Sequence, residues 1–249
     1  MNRYEKAVFY GDFHAPFEDP WCVKIAEEFN QWFKPQWVFI LGDIIDFTQI
    51  SKFDTSPDRL CDLQADLNAG KEILERLRTS APRAKMVLFE GNHEIRLRKY
   101  LWKHPEISSL NALTLPAMLN LPALDIKFVG SLTDYDYHGW SIEHGDIVRK
   151  WSAYTAHGML ERRGTSGCSG HTHRMGTHYM TDRGGDYVWI ENGCMCSRHP
   201  HWMKSPDWQN GFTVGWFKRA DLRFTLEQVC IPDGKCVYHG KEFGNLKVK

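Results

Sequence analysis

The 249-residue chain has no run of about 18 apolar residues, so no transmembrane helix is expected. It has no surplus of one charge either. Lys and Arg number 31, and Asp and Glu number 31, so no global field draws the protein to nucleic acid or an anionic membrane. A nuclease reading therefore needs a local basic patch, which composition does not reveal. The opening residues MNRYEKAVFYGDFH hold no apolar signal-peptide core, and a cytoplasmic location without a membrane partner is the expectation. Internal repeats, low-complexity tracts and Cys-x-x-Cys pairs are also lacking. The seven cysteines (22, 61, 168, 194, 196, 230, 236) are odd in number and scattered, as thiols in a reducing cytosol are. Cys194-Met195-Cys196 reads as strand, and its thiols are taken as packing.

What is present begins with short buried strands. Ala7–Tyr10, Trp37–Leu41 and Met86–Phe89 are apolar runs, each ending at a glycine with a polar residue beyond it. Asp19-Pro20 opens an amphipathic helix through about Phe33, and apolar positions at helical spacing predict another from about Asp58 to Arg78. Residues from about Glu94 to Leu121 read as helical and Leu-rich, a small cap beside the strand ends. Trp140–Glu143 and Gly167–Ser169 are further strands. Beyond Tyr179 the pattern turns to strands and turns, with Tyr187–Ile190, Phe212–Phe217 and a hairpin around Pro232–Lys235. Strands alternating with helices predict an α/β layered core in a single domain over 1–249. Ten Trp is a high count, and the rings at 189, 202, 208 and 216 are expected mostly in the core.

Five polar blocks punctuate these strands in order: Asp12-Phe13-His14, Gly42-Asp43-Ile44-Ile45-Asp46, Gly91-Asn92-His93-Glu94, His144-Gly145 and Gly170-His171-Thr172-His173. Carboxylate and amide oxygens mixed with imidazole nitrogens suit two divalent cations of the Mn²⁺, Fe or Zn²⁺ kind rather than Ca²⁺. In an open α/β sheet, loops at the carboxyl ends of strands converge, which is where ligands gather.

The ordered set GDxH, GDxxD, GNHE, HG, GHxH resembles the calcineurin-like metallophosphoesterase superfamily from roughly Val8 to His173. That resemblance implies a four-layer αββα sandwich with two mixed β-sheets and a dinuclear site on one edge. It also implies that Asp12, His14 and His173 hold one metal, that Asn92, His144 and His171 hold the other, and that Asp43 bridges them. Two ions about 3.5–4 Å apart need such a shared anion. His93 is expected to donate a proton to the leaving oxygen, oriented by Asp46. Arg96 and Arg174 are candidates for the substrate phosphate, and His199, His201 and Trp202 for a rim.

The cofactor expectation is two divalent ions, Mn²⁺ ahead of Fe, Zn²⁺, Ni²⁺ or Mg²⁺. The reaction implied is phosphoester hydrolysis by a metal-bound hydroxide, with a phosphodiesterase acting on nucleotides or nucleic-acid ends as the first reading. A phosphomonoesterase is the second and a non-catalytic scaffold the third. Asp46 is followed by Phe47, not by the Arg-Gly found at this point in phosphoprotein phosphatases, which weakens that branch of the second reading. Oligomeric state is not legible.

Overall fold

A computed structural model describes residues 4–54, 62–200, 203–218 and 223–244. The N-terminal half alternates strand and helix: β1 Glu5–Tyr10, α1 Pro20–Phe33, β2 Trp37–Ile40, α2 Leu63–Ser80, β3 Lys85–Phe89, α3 Glu94–Lys103, α4 Leu115–Met118 and β4 Ile126–Val129. Next come β5 Asp136–Tyr137, β6 Trp140–Glu143, α5 Tyr154–Arg163, β7 Gly167–Ser169, β8 Gly176–Asp182 and β9 Gly185–Glu191. The chain closes with β10 Gly211–Lys218, β11 Arg223–Cys230, β12 Lys235–Tyr238 and β13 Lys241–Gly244.

These strands form two large mixed sheets. The first runs β11-β10-β1-β2-β3-β4, the second β5-β6-β7-β9-β8, and β12 pairs with β13 apart from both. β1 to β4 are parallel, as are β6, β7 and β9; β10, β11, β5 and β8 pair antiparallel. Side chains alternate across each strand. Val8 and Tyr10, Val38 and Ile40, Met86 and Leu88 face α1 and α2, while Ala7 and Phe9, Phe39 and Leu41, Val87 and Phe89 face the second sheet. Burial on both faces is why these strands are unbroken apolar runs. On the far side of the second sheet, Ala156, Met159 and Leu160 of α5 pack on Trp189. The layers are therefore αββα.

Local chemistry sets the helix ends. The Asp19 carboxylate accepts from the Trp21 and Cys22 amides at 2.9 and 3.1 Å, with Pro20 at the first turn, so α1 starts where the sequence placed it. α2 is capped by Asp62, whose carboxylate accepts from the Gln64 amide at 2.7 Å. Its expected start near Asp58 lies outside the described residues.

The stretch 94–121 is not one helix. α3 ends at Lys103, shortly before Pro105, and a 3₁₀ turn at Asn111–Leu113 precedes the four-residue α4. Proline cannot extend a hydrogen-bonded helix. Leu97, Leu115, Leu119 and Leu121 join the core of the first sheet. The hairpin expected at Pro232–Lys235 is instead a 3₁₀ turn between β11 and β12, and the true reversal is at His239-Gly240, between β12 and β13. α5 has no counterpart in the sequence reading. Among the described residues, no helix is long and apolar enough to cross a membrane.

Candidate metal centre

Each of the five blocks leaves the carboxyl end of a parallel strand, the first three from β1, β2 and β3 and the last two from β6 and β7. The two sheets stack face to face, so these ends meet at one edge. Asp12, His14, Asp43, His171 and His173 all take left-handed backbone, with φ between 50° and 76°. Such a conformation costs a non-glycine residue about 1–2 kcal/mol, and surrounding bonds must over-determine it. They do so here. The Asp12, His14 and Ala15 amides donate to the Gly42, Asp43 and Ile44 carbonyls at 2.9–3.1 Å, which prolongs the β1–β2 pairing into the loops.

Behind them sits Glu94, buried, whose carboxylate accepts from the amides of Asp43 and Gly91 at 2.8 Å and of Ile45 at 3.1 Å. One side chain thus ties the β2 loop to the β3 loop. Gly91 is needed for this approach, because a Cβ there would run into Asp43 Oδ1 and the Asp43 amide. Burial, followed by the Asp43 charge, pushes Glu94 up to about 7.

The seven side chains singled out as metal donors come together in two groups. On one flank His14 Nε2 lies 2.9 Å from His173 Nε2, and His173 Nε2 lies 3.4 Å from Asp12 Oδ1. On the other, Asn92 Oδ1, His144 Nε2 and His171 Nδ1 are mutually 2.6–3.2 Å apart. Asp43 Oδ2 stands between, 3.6 Å from His14 Nε2 and 3.4 Å from His144 Nε2.

The donors fit a cation on each flank. Nitrogens and oxygens bound to one ion at about 2.0–2.2 Å necessarily sit about 3 Å apart, and lone pairs brought this close otherwise repel. The imidazole of His144 is aimed from behind by its Nδ1, which donates to the Leu41 carbonyl at 2.7 Å, fixing Nε2 as the free donor atom.

His93 and Asp46 stand beside the first flank. His93 Nδ1 is 2.7 Å from Asp46 Oδ1 and 2.8 Å from the Asp46 carbonyl, so Nδ1 carries the proton and Nε2 faces outward. Burial opposes protonation of His93, but Asp43 and the Asp46 hydrogen bond outweigh it and raise its pKa. For Asp46 too, burial is overcome by the bonds to His14 and His93, which hold the carboxyl far below the usual range. Arg96 brings Nη2 to 3.1 Å from His93 Nε2 and Nη1 to 2.7 Å from the Asp46 carbonyl.

Arg174 is placed differently from Arg96. Although adjacent to His173, it turns away, and its Nη1 and Nη2 donate to the Lys150 and Arg149 carbonyls at 2.8 and 2.5 Å, with Nε 3.7 Å from Glu191. Those donors are not aimed at the metal donors.

The Cys194-Met195-Cys196 segment is a correction to the sequence reading. It is irregular chain with isolated bridges rather than strand, and its two thiols, two residues apart, share one side as they would in a strand. Both lie against His173, with Cys196 Sγ 3.8 Å from Nδ1. Glu94, Cys196 and Trp208, whose ring stands edge-on 4.2 Å from that of His173, are the neighbours that sequence reasoning missed. Only Glu94, inside the GNHE block, left a signal. His201 and Trp202 lie outside the described residues.

Two cavities open onto the donors. One, of about 380 Å³, is bounded by His14, His173, His93, Arg96, Phe17 and Trp208, with His199 on its wall. The other, of about 470 Å³, is reached from Asn92, His144 and His171 and walled by polar residues including Ser131, Asp134 and Arg163.

No protein-family model matches this sequence, and no curated protein does. Among solved structures, the chain is similar to Vacuolar Protein Sorting 29 from Cryptosporidium parvum, at 14% identity over 98% of this chain and 100% of that one, TM-score 0.49. It is similar to Vps29 complexed with Zn²⁺ from Entamoeba histolytica, at 13% identity over 90% and 98%, TM-score 0.41. It is also similar to Yfce, a phosphoesterase from E. coli, at 17% identity over 91% and 100%, TM-score 0.38. These superpositions are loose, and the chemistry of the centre follows from its own donors.

Proposed function

We propose that this protein is a dinuclear metal-dependent phosphohydrolase, a metallophosphoesterase of the calcineurin-like type, acting on phosphodiesters. One observation carries the reading: two donor groups share Asp43, and an imidazole clamped by a carboxylate stands at their edge. Asp12, His14 and His173 would hold one ion, Asn92, His144 and His171 the other, and Asp43 both. A bound pair of divalent ions supplies Lewis acidity at phosphoryl oxygen and an acidified water. The mixed oxygen and nitrogen donors favour Mn²⁺, with Fe, Zn²⁺, Ni²⁺ or Mg²⁺ as alternatives.

The chain's own residues do the rest. Asp43 offsets the repulsion between two cations, while neutral Asn92 leaves the centre net positive for a phosphate. His93 keeps Nδ1 on Asp46; its Nε2, which accepts from Arg96 in the metal-free protein, would carry a proton to the leaving oxygen once Arg96 turns to the phosphate, a role that contributes typically about 10²–10⁴-fold. The Arg96 guanidinium, already beside Nε2, supplies a second cation for a phosphoryl oxygen.

The diester preference rests on the cavities. A phosphate seated on the donors has room for a substituent on each flank, in about 380 Å³ on one side and about 470 Å³ on the other; a monoester needs only one. The described cysteines are all free thiols, and on that ground we assign the protein to the cytoplasm.

The test is Mn²⁺-dependent hydrolysis of bis-p-nitrophenyl phosphate against p-nitrophenyl phosphate, with bound metal measured by elemental analysis. The diester is expected to be the better substrate. Asp43→Asn should lower turnover by about 10³-fold or more and deplete metal, and His93→Gln should lower it by about 10²-fold or more with metal retained. A preference for the monoester would turn the assignment to phosphomonoesterase. Metal-loaded protein inert on both esters would remove the hydrolase reading.

A further inference from the structure

The loop joining β6 to α5 combines a buried framework with an exposed apolar and basic face. The buried framework is costly. Arg174 is 8% exposed and Glu191 fully buried, and taking charged groups from water costs several kcal/mol unless they are well bonded. What this pair holds is the loop itself. Arg174 binds the Arg149 and Lys150 carbonyls, Glu191 accepts from the Ala153 amide at 2.9 Å, and the Arg149 amide donates to Thr155 Oγ1 at 3.2 Å. Ser152 Oγ donates to the Met175 carbonyl. Ala153 is held left-handed at φ 67°, a further cost that these bonds override.

The side chains presented by this rigid backbone face water. Val148 is 61% exposed, Trp151 53% and Tyr154 58%. Arg149 and Lys150 are exposed as well, and neither forms an ion pair among the described residues, although the nearby Arg162 and Arg163 are neutralised by Asp146 and Glu143. The Lys150 ammonium lies 4.7 Å over the Trp151 ring. The patch is tied to the segments that carry the metal donors, since Arg149 follows His144 by five residues and Ser152 is bonded to Met175, two residues beyond His173. A chain of zero net charge has thus gathered two cations without carboxylate partners among the described residues, and two half-bare aromatic rings, on the loop that follows the His144 donor.

We propose that residues 148–154 form a docking platform for a single-stranded nucleic acid, which lays its backbone along Arg149 and Lys150 and stacks a base on Trp151 or Tyr154. The proposal rests on the phosphodiesterase reading and names its substrate class. Stacking platforms beside basic residues suit single strands because every unpaired base has a π face and every link a phosphate. A duplex hides its base faces, so the platform discriminates against it. Arg174 is then a positioning residue, joining the platform to the loop that carries His171 and His173.

Binding and chemistry are measured apart. Fluorescence anisotropy of the full chain with a labelled oligothymidylate reads binding. The ratio of kcat/KM for that oligonucleotide to kcat/KM for bis-p-nitrophenyl phosphate, under Mn²⁺, reads its use. Trp151→Ala, at an exposed position, should weaken oligothymidylate binding about tenfold and lower the ratio by a similar factor. Arg149→Gln with Lys150→Gln should reduce the slope of log affinity against log salt by about 0.7 per charge removed.

Wild-type affinity weaker than about 100 µM at physiological salt, equal binding of a duplex, or Trp151→Ala binding like wild type would each overturn the platform while leaving hydrolysis of the small diester in place. Absence of bis-p-nitrophenyl phosphate hydrolysis with oligothymidylate still bound removes the hydrolase reading and its substrate, and leaves only a binding surface.

Discussion

His171 and His173 are two residues apart on one loop, both are buried or nearly so, and yet their protonation is driven in opposite directions. Burial disfavours the charged form of each. At His173 the hydrogen bond and charge of Asp12 overcome burial and raise the pKa to about 9. At His171, burial is reinforced by neighbouring His144, and Asp43 and Asp12 do not compensate, so the pKa falls to about 4. The difference lies in the company each flank keeps. His173 has a carboxylate 3.4 Å away, whereas His171 has an amide oxygen at 2.6 Å and an imidazole at 3.2 Å. One flank of the centre therefore pairs a carboxylate with a readily protonated imidazole in the metal-free protein, while the other sets the hard-to-protonate His171 against an amide oxygen and a second imidazole.

The strongest way to break this asymmetry is Asp12→Asn. It removes the largest upward influence on His173, leaving burial opposed only by the charges of Cys194 and Asp43, so the pKa should fall well below about 9; NMR titration of the metal-free protein reads this directly. The same change should deplete metal on that flank and lower phosphodiester turnover by about 10³-fold.

Arg174→Ala attacks the loop that bears both histidines. It leaves Glu191 buried without its partner, which costs about 3–5 kcal/mol and should lower Tm by roughly 10 °C for a domain of this size. Thr172, whose hydroxyl donates to Glu191 at 2.5 Å, loosens with it.

The smallest effect sharpens the comparison without mutation. At pH 7.5 the metal-free protein should carry a proton on His173 and none on His171. Calorimetry in buffers of different ionisation enthalpy should therefore count about one proton released as metal fills the centre, and Asp12→Asn should abolish that release.

The linkage signs differ in the same way. His173, raised in the folded state, stabilises the metal-free fold below about pH 6.5, and that contribution is lost as pH rises toward 9. His171, depressed in the folded state, contributes above 6.5 and its contribution is lost as pH falls toward 4. Chemical denaturation of the metal-free protein across these two windows checks both slopes.

Much of the frame was legible because its signals are local. Asp19-Pro20 both starts and caps α1, and the unbroken apolar runs at β1, β2 and β3 reflect burial on two faces. α5 was invisible because its sequence, YTAHGMLERR, carries Gly158 in its interior and a weak apolar stripe. It is helical because Ala156, Met159 and Leu160 find Trp189 on a strand formed later in the chain. The break after Lys103 was foreseeable from Pro105, but the leucines that follow hid it, since core-packing leucines have the same spacing pattern whether one helix carries them or several short turns.

The sequence by itself determined the donor types, their order and the strand ends from which they leave, because glycine turns and strand periodicity act over a few residues. Tertiary structure alone decided which of the two motif-flanking arginines, Arg96 or Arg174, stands at the centre, why Cys194 and Cys196 both flank His173, and where cations without carboxylate partners gather. Those outcomes depend on how two sheets stack and on the charges this brings within a few ångströms, distances that no stretch of linear sequence encodes.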